Sequence, residues 1–191
     1  MIAAIVLTLA GSPALAADLP SLHPSRDVAV VYHAEGTADA HGGPQSHTIR
    51  MYWGEDGGAL RVEVEGQPIV ALIDFKRQRM AMLIGPRQVV LETKLDPALV
   101  PGFVLPAGAK AVRDGTDTVA GLGCAVWRLT GPQGGGTACI TGDGVVLRAD
   151  GAAEHGSGRL EAISVTYAPQ PEALFAPPPG YARMDLGHPR R

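Results

Sequence analysis

Short apolar runs separated by turn residues recur every 8–12 residues or so between positions 27 and 93. In LRVEVE, Leu60, Val62 and Val64 alternate with charged residues, and in TIRMYWG the side chains of Ile49, Met51 and Trp53 share one face. Alternation of this kind indicates strands with one buried face, and no segment has a sustained helical period. The chain is therefore predicted to be mainly β, a curved antiparallel meander of about 10–11 strands forming an open half-barrel with little helix.

The alternating pattern stops after Thr93. The following segment contains Pro97, Pro101 and Pro106, which exclude a long regular helix, yet it also carries Phe103 and Leu105. An apolar connection needs a surface to lie on, so residues 94–116 are predicted to form a short insert that acts as a lid over the sheet.

The two cysteines of the chain, Cys124 and Cys139, flank a Gly/Pro-rich loop. A hairpin that places them opposite each other brings their Cβ atoms close enough for a disulfide after slight adjustment. One even pair is typical of an oxidising compartment, and the spacing differs from the C-x-x-C of catalytic dithiols. We interpret the pair as a structural disulfide in an exported protein.

The N-terminus also predicts export. An apolar run is followed by Gly-Ser-Pro and by Ala14-Leu15-Ala16, which is typical of a signal peptide, although no basic residue precedes the run. Residues 1–16 are predicted to be removed near Ala16/Ala17, and the run is too short for a transmembrane anchor. The mature chain is expected to be periplasmic: residues 17–26 extended, 27–186 a single domain, and 187–191 a disordered tail.

Charge argues against a nucleic-acid partner. The net charge is −3, and the Lys and Arg residues do not cluster as a nucleic-acid surface requires.

Motifs for nucleophilic catalysis, zinc proteases, phosphate loops and dinucleotide binding do not occur in the sequence, so neither an enzyme nor a cofactor is expected. Asp39, His41 and His47 are weak candidates for a metal site, because the Gly and Pro residues between them leave the geometry unspecified. A solvated loop is the favoured alternative.

The order of these segments resembles a known superfamily. A long meander, a Pro-rich apolar insert, a late cysteine hairpin followed by TGDGVVLR, and a terminal PEALFAPPPGY segment together resemble the periplasmic LolA/LolB-like half-barrels, in a proteobacterial branch of unknown function. The resemblance covers roughly residues 28–181. It implies an open curved sheet, a lid over an apolar cavity, and binding of acyl chains or sensing of lipoproteins. The short, proline-broken insert and the disulfide depart from the lipoprotein carriers.

A single sheet must bury its apolar face against something, and the chain offers no substantial helix to cover it. The sheet is therefore expected to curl around its own side chains or around a ligand. The predicted residues of an apolar cavity are Val30, Tyr32, Met51, Trp53, Met80, Met82, Val90, Phe103 and Leu105. Packing of the same side chains as ordinary core is the favoured alternative, and the same holds for Trp127.

Three functions are therefore considered, in this order. The first is an exported protein that binds a lipid, an acyl chain or another apolar molecule in the concave face. The second is an envelope sensing or structural protein that acts through a protein partner, and the third is a metal-binding protein.

Overall fold

The computed structural model describes residues 19–37, 44–96, 108–131, 134–153 and 156–185. Within them the chain forms twelve strands and two short 3₁₀ turns, Gly85–Arg87 and Glu172–Phe175. The strands are β1 Val28–Thr37, β2 Pro44–Gly54, β3 Ala59–Val64, β4 Ile69–Asp74, β5 Arg79–Ile84, β6 Val89–Lys94, β7 Lys110–Val119, β8 Leu122–Gly131, β9 Gly134–Ile140, β10 Val146–Ala153, β11 Gly156–Tyr167 and β12 Ala182–Asp185.

All twelve strands belong to one open sheet, in the order β12-β6-β5-β4-β3-β2-β1-β11-β10-β9-β8-β7. Strands β1–β6 form a first antiparallel meander and β7–β11 a second, and the two meet where β1 pairs with β11. Strand β12 joins the edge of β6 in parallel, which makes the sheet mixed. The predicted open, mainly β architecture is confirmed.

The two faces of the first meander differ in chemistry. One face, called the core face here, carries Val28, Val30 and Tyr32 of β1, followed in register by Trp53 and Met51 of β2. The pairings extend this face through β3, β4, β5 and β6. Because neighbouring residues of a strand point to opposite faces, the charged side chains of these strands all lie on the other side, called the reverse face.

A C-terminal arm, residues 168–181, packs on the reverse face and leads into β12. Arg61 Nη1 donates a hydrogen bond to the Leu174 carbonyl at 3.0 Å. The Phe175 ring lies so close to Gly54 that a Cβ there would be 2.5 Å from the ring, so a side chain larger than that of glycine would displace it. Tyr181 packs against the buried cluster of Leu72, Leu83 and Val90. The segment therefore docks on the sheet as extended chain with one 3₁₀ turn, Glu172–Phe175.

An N-terminal strap, residues 19–27, connects the two meanders. Its Leu22 is buried with Ile140 and Val146 of the second meander. The next residue, His23, has its ring 4.2 Å from that of Phe75 and 5.5 Å from that of Trp53, both in the first meander. The strap thus packs against both halves of the sheet at the same end.

The disulfide between Cys124 and Cys139 is present, with Cα atoms 5.4 Å apart. The predicted register of its hairpin is wrong by two residues, because Cys139 pairs with Val126 and the disulfide runs diagonally. The structure also differs at the predicted insert, since its residues from Lys110 onward belong to β7.

Candidate functional site

The core face of the first meander continues into an elongated apolar surface. One cross-strand row runs from buried Met51 through Val62, Ala71, Met82 and Leu91 to Met184 of β12. A second row lies beside it, two residues further along each strand. We call the exposed and half-buried members of both rows the apolar patch: Ile49, Val62, Val64, Ile69, Ala71, Met82, Ile84, Val89, Leu91 and Met184.

Exposure increases along the patch. Met51 is only 3% exposed, whereas Ile69 and Met184 are 44% and 53% exposed, and the other members are half-buried. Ile49, Val62, Ala71 and Met82 also pack against the buried core. The patch is therefore the accessible continuation of the hydrophobic core toward the β12 edge.

The patch is long and narrow. Neighbouring strands lie about 4.8 Å apart, so a row that crosses six strands is about 24 Å long. The two rows are separated by two residues along each strand, which is about 7 Å. A linear hydrocarbon lying across the strands matches this shape better than a compact ring system does.

The electrostatics of the patch are uniform. Within the described strands β1–β6, the core-face positions contain no Asp, Glu, Lys or Arg. Charged groups of the same strands pair on the reverse face, where Arg61 lies 2.7 Å from Glu63 and Arg79 lies 3.6 Å from Glu92. The patch therefore offers dispersion and hydrophobic contact, without a charged group that would orient a polar ligand.

Five of the residues predicted to line a cavity lie together in the core instead. Val30, Tyr32, Met51, Trp53 and Met80 are at most 8% exposed and belong to one buried cluster. In this conformation they leave little surface for a ligand. They form the floor from which the apolar patch extends.

The other predicted cavity residues are separated from these. Met82 lies within the apolar patch, but Val90 lies on the reverse face, under the C-terminal arm with Leu72 and Leu83. Phe103 and Leu105 lie outside the described residues. Only Met82 of the nine predicted residues is both described and part of the patch.

Tyr32 has a structural partner. Its hydroxyl donates a 2.8 Å hydrogen bond to the Val146 carbonyl, so the side chain crosses β11 to reach β10. Burial raises the pKa of this phenol, with a smaller contribution from Tyr167. Tyr32 therefore remains protonated and links the two meanders from within the core.

Sequence reasoning missed most of the patch. Segments β4 to β6 read IVALID, RMAMLI and VVLETK, with apolar residues on both faces for most of their length. Alternation cannot assign such strands to a face, because the reverse face is also buried under the C-terminal arm. The cross-strand register with β3, whose charged residues mark one face, is the signal that assigns them.

The weak metal candidates are not brought together within the described part of the chain. His47 lies on β2 opposite Ala34, while Asp39 and His41 fall outside it. Among the described residues, no group of three His, Cys, Asp or Glu side chains is arranged to hold a metal ion.

A different groove is about 670 Å³ in volume. It lies where β1 and β10 end and where β9 and β11 begin. Its charged lining is already paired, since Arg159 lies 2.6 Å from Glu161 and 3.7 Å from Asp150, and Glu35 lies 3.0 Å from His33. Its floor consists largely of glycine backbone. We favour the apolar patch as the functional surface, because the charged groups of this groove already have partners.

No helix in the described ranges is both long and apolar enough to cross a membrane. No protein-family model matches the sequence, and no curated protein matches it.

The chain is similar to solved structures. An uncharacterized conserved protein from Thermus thermophilus matches with a TM-score of 0.57 at 12% identity, over 84% of this chain and 91% of that one. A LolA superfamily protein from Nitrosomonas europaea matches with a TM-score of 0.45 at 9% identity, over 80% and 90%. MucB of Pseudomonas aeruginosa, solved with MucA, matches with a TM-score of 0.47 at 17% identity, over 78% of this chain and 55% of that one. These matches show a likeness of fold alone, and the structures matched include a LolA superfamily protein.

Proposed function

We propose that this protein binds a lipid, an acyl chain or another apolar molecule on the apolar patch. The observation that carries the proposal is the patch itself, two adjacent rows of accessible apolar side chains on a face without charged residues. Contiguous apolar surfaces of this kind mark binding sites more often than isolated exposed residues do.

The size of the patch is consistent with useful affinity. Burial of apolar surface contributes roughly 25 cal/mol per Å², so covering several half-exposed side chains stabilises a complex by a few kcal/mol before the costs of binding. Methionine at positions 82 and 184 adapts to differently shaped hydrocarbons. We expect selectivity for chain-like apolar molecules, with little discrimination between their polar ends.

We also propose that the protein acts after export, in the periplasm. The support is the disulfide between Cys124 and Cys139, which persists in an oxidising compartment. The predicted signal peptide, residues 1–16, lies outside the described residues.

The proposal is tested on protein secreted to the periplasm and purified without detergent. We expect native mass spectrometry to detect a bound apolar mass, and cis-parinaric acid to bind with saturable fluorescence. Val64→Glu places a charge on the patch and should weaken binding at least tenfold, because burying an unpaired carboxylate is costly. Val112→Glu is the matched control, since Val112 is 62% exposed on β7, away from the patch.

Met82→Glu is a second patch variant, expected to act like Val64→Glu. Circular dichroism and thermal melting establish that each variant is folded. An apo mass together with no binding of cis-parinaric acid by the wild type would contradict the proposal. That result would favour a protein partner instead.

A further inference from the structure

Strand β12 forms one border of the apolar patch, although it comes from the C-terminal end of the described chain. It pairs in parallel with β6, and Met184 lies in register with Leu91. Met184 is thereby the last member of the row that begins at Met51. The patch is thus bordered by the last strand of the described chain.

The side-chain contacts that hold residues 181–185 to the sheet lie on the reverse face. Tyr181 packs into the cluster of Leu72, Leu83 and Val90, and Arg183 lies 3.4 Å from Glu92. The backbone N–H of Ala182 donates to the Gln88 carbonyl at 2.8 Å. Met184 itself is 53% exposed on the core face.

Strand β12 also has the characteristics of a locally labile element. It contains four residues, all of them exposed, and β6 is its only neighbour among the described strands of the sheet. Short exposed segments with few buried contacts open at a low free energy compared with core strands. Its docking equilibrium can therefore respond to a modest additional contact.

We propose that β12 is a ligand-sensing border of the site: an apolar molecule on the patch contacts Met184 and tightens the docking of β12 onto β6. This inference rests on the proposed function. Because coupling between two binding events is reciprocal, a ligand that favours docked β12 must itself bind more tightly when β12 is docked. Met184 is the residue through which the two events are linked.

The experiment measures amide hydrogen exchange of the wild type with and without saturating cis-parinaric acid. We expect exchange in residues 181–185 to slow by about fivefold or more, the lower end of typical coupling between sites. The exposed edge strand at the other end of the sheet, β7, should exchange at an unchanged rate. This measurement needs no variant.

Met184→Ser then tests the linking residue. We expect the variant to bind cis-parinaric acid roughly three- to tenfold more weakly, because one apolar contact is lost, and to lose the ligand-induced protection of β12. Val112→Ser is the matched control, an exposed apolar residue on the opposite edge strand, and should behave like the wild type.

The outcomes separate the two proposals. Saturable binding by the wild type without slower exchange in residues 181–185, or unchanged affinity in Met184→Ser, overturns the inference and leaves the proposed function standing. Absence of binding by the wild type overturns both.

Discussion

Arg26 of the N-terminal strap stacks on Tyr167 of β11, with its guanidinium carbon 3.7 Å from the ring centroid. The same guanidinium donates from Nε to Asp143 Oδ2 at 2.8 Å, and the Tyr167 hydroxyl donates to Asp143 Oδ1 at 3.2 Å. The backbone N–H of Ser25 donates to the Asp143 carbonyl at 2.8 Å. Asp143, in the turn after β9, is therefore the common acceptor that fastens the strap to the sheet.

This arrangement predicts that the folded state loses stability at acid pH. Burial opposes ionisation of Asp143, but hydrogen bonds from Thr141, Arg26 and Tyr167 outweigh it and hold the pKa of the carboxyl below its usual value. A carboxyl with a lowered pKa in the folded state stabilises the fold above its unfolded pKa, and this stability is lost as pH falls through the folded pKa. We expect the melting temperature to fall between about pH 5 and pH 3, and to fall less in Asp143→Asn. An equal fall in the two proteins would contradict the role of Asp143.

Removal of the disulfide should reduce stability without removing the site. The bond closes a loop with a sequence separation of 15, which predicts a loss of about 3 kcal/mol in the free energy of unfolding. We expect this loss in the double variant Cys124→Ala/Cys139→Ala, measured by denaturant unfolding. Affinity for cis-parinaric acid should be unchanged, because both cysteines lie in the second meander. Loss of binding in a folded double variant would show that the disulfide shapes the site.

Tyr32→Phe separates a core role from a ligand-binding role. The substitution removes the hydrogen bond to Val146 at a buried position, and we expect a loss of about 1–2 kcal/mol in the free energy of unfolding. Tyr52→Phe is the control, since Tyr52 is half-buried on the reverse face, and it should have a smaller effect. Lower affinity for cis-parinaric acid in folded Tyr32→Phe would place Tyr32 in the site after all.

Gly136 and Gly151 form a cross-strand pair, and alanine is expected to be harmful at the first position and tolerated at the second. A Cβ at Gly136 would clash with the Asp150 carbonyl oxygen, whereas the nearest atom to a Cβ at Gly151 is 3.8 Å away. We expect Gly136→Ala to lower the melting temperature by at least several degrees and Gly151→Ala to leave it nearly unchanged. Similar melting temperatures for the two variants would indicate that β9 and β10 can separate at this point.

The sequence predicts the strands well where one face carries charged, solvent-exposed residues. In β2 and β3 the charged residues mark the reverse face, so Ile49, Met51 and Trp53 can be assigned to one side from the pattern alone. For β4–β6 the pattern carries no such mark, and the prediction that groups Val90 with residues of the opposite face is wrong. The cover that buries Val90 comes from Tyr181, about ninety positions away, and local alternation contains no information about it.

The cysteine hairpin shows a second limit. Both cysteines pack in the main core cluster and Trp127 packs in the cluster on the opposite face, yet the predicted register is wrong by two residues. A shift of two preserves every face, so the hydrophobic pattern cannot detect it. The run Gly134–Gly136 adds no side chains that would select one alignment.

The sequence pattern also misses both edge strands. Strand β7 is exposed over most of its length and rich in charged residues, and β12 has only four residues, all exposed. Such features protect sheet edges from pairing with other molecules, and they also remove the apolar pattern by which a strand is recognised. The border of the candidate site, at Met184, is therefore not predictable from the local sequence.

The position of β1 in the middle of the sheet has a consequence for biogenesis. Strands β2–β6 can assemble against one side of β1 as soon as they are synthesised, but its other side pairs with β11, whose last residue is Tyr167. A nascent chain therefore carries an open strand edge until β11 has been synthesised. Unpaired edges of this kind are prone to aggregation, and long-range pairing is slow. We expect the incomplete chain to depend on protection by chaperones until β1 and β11 have joined.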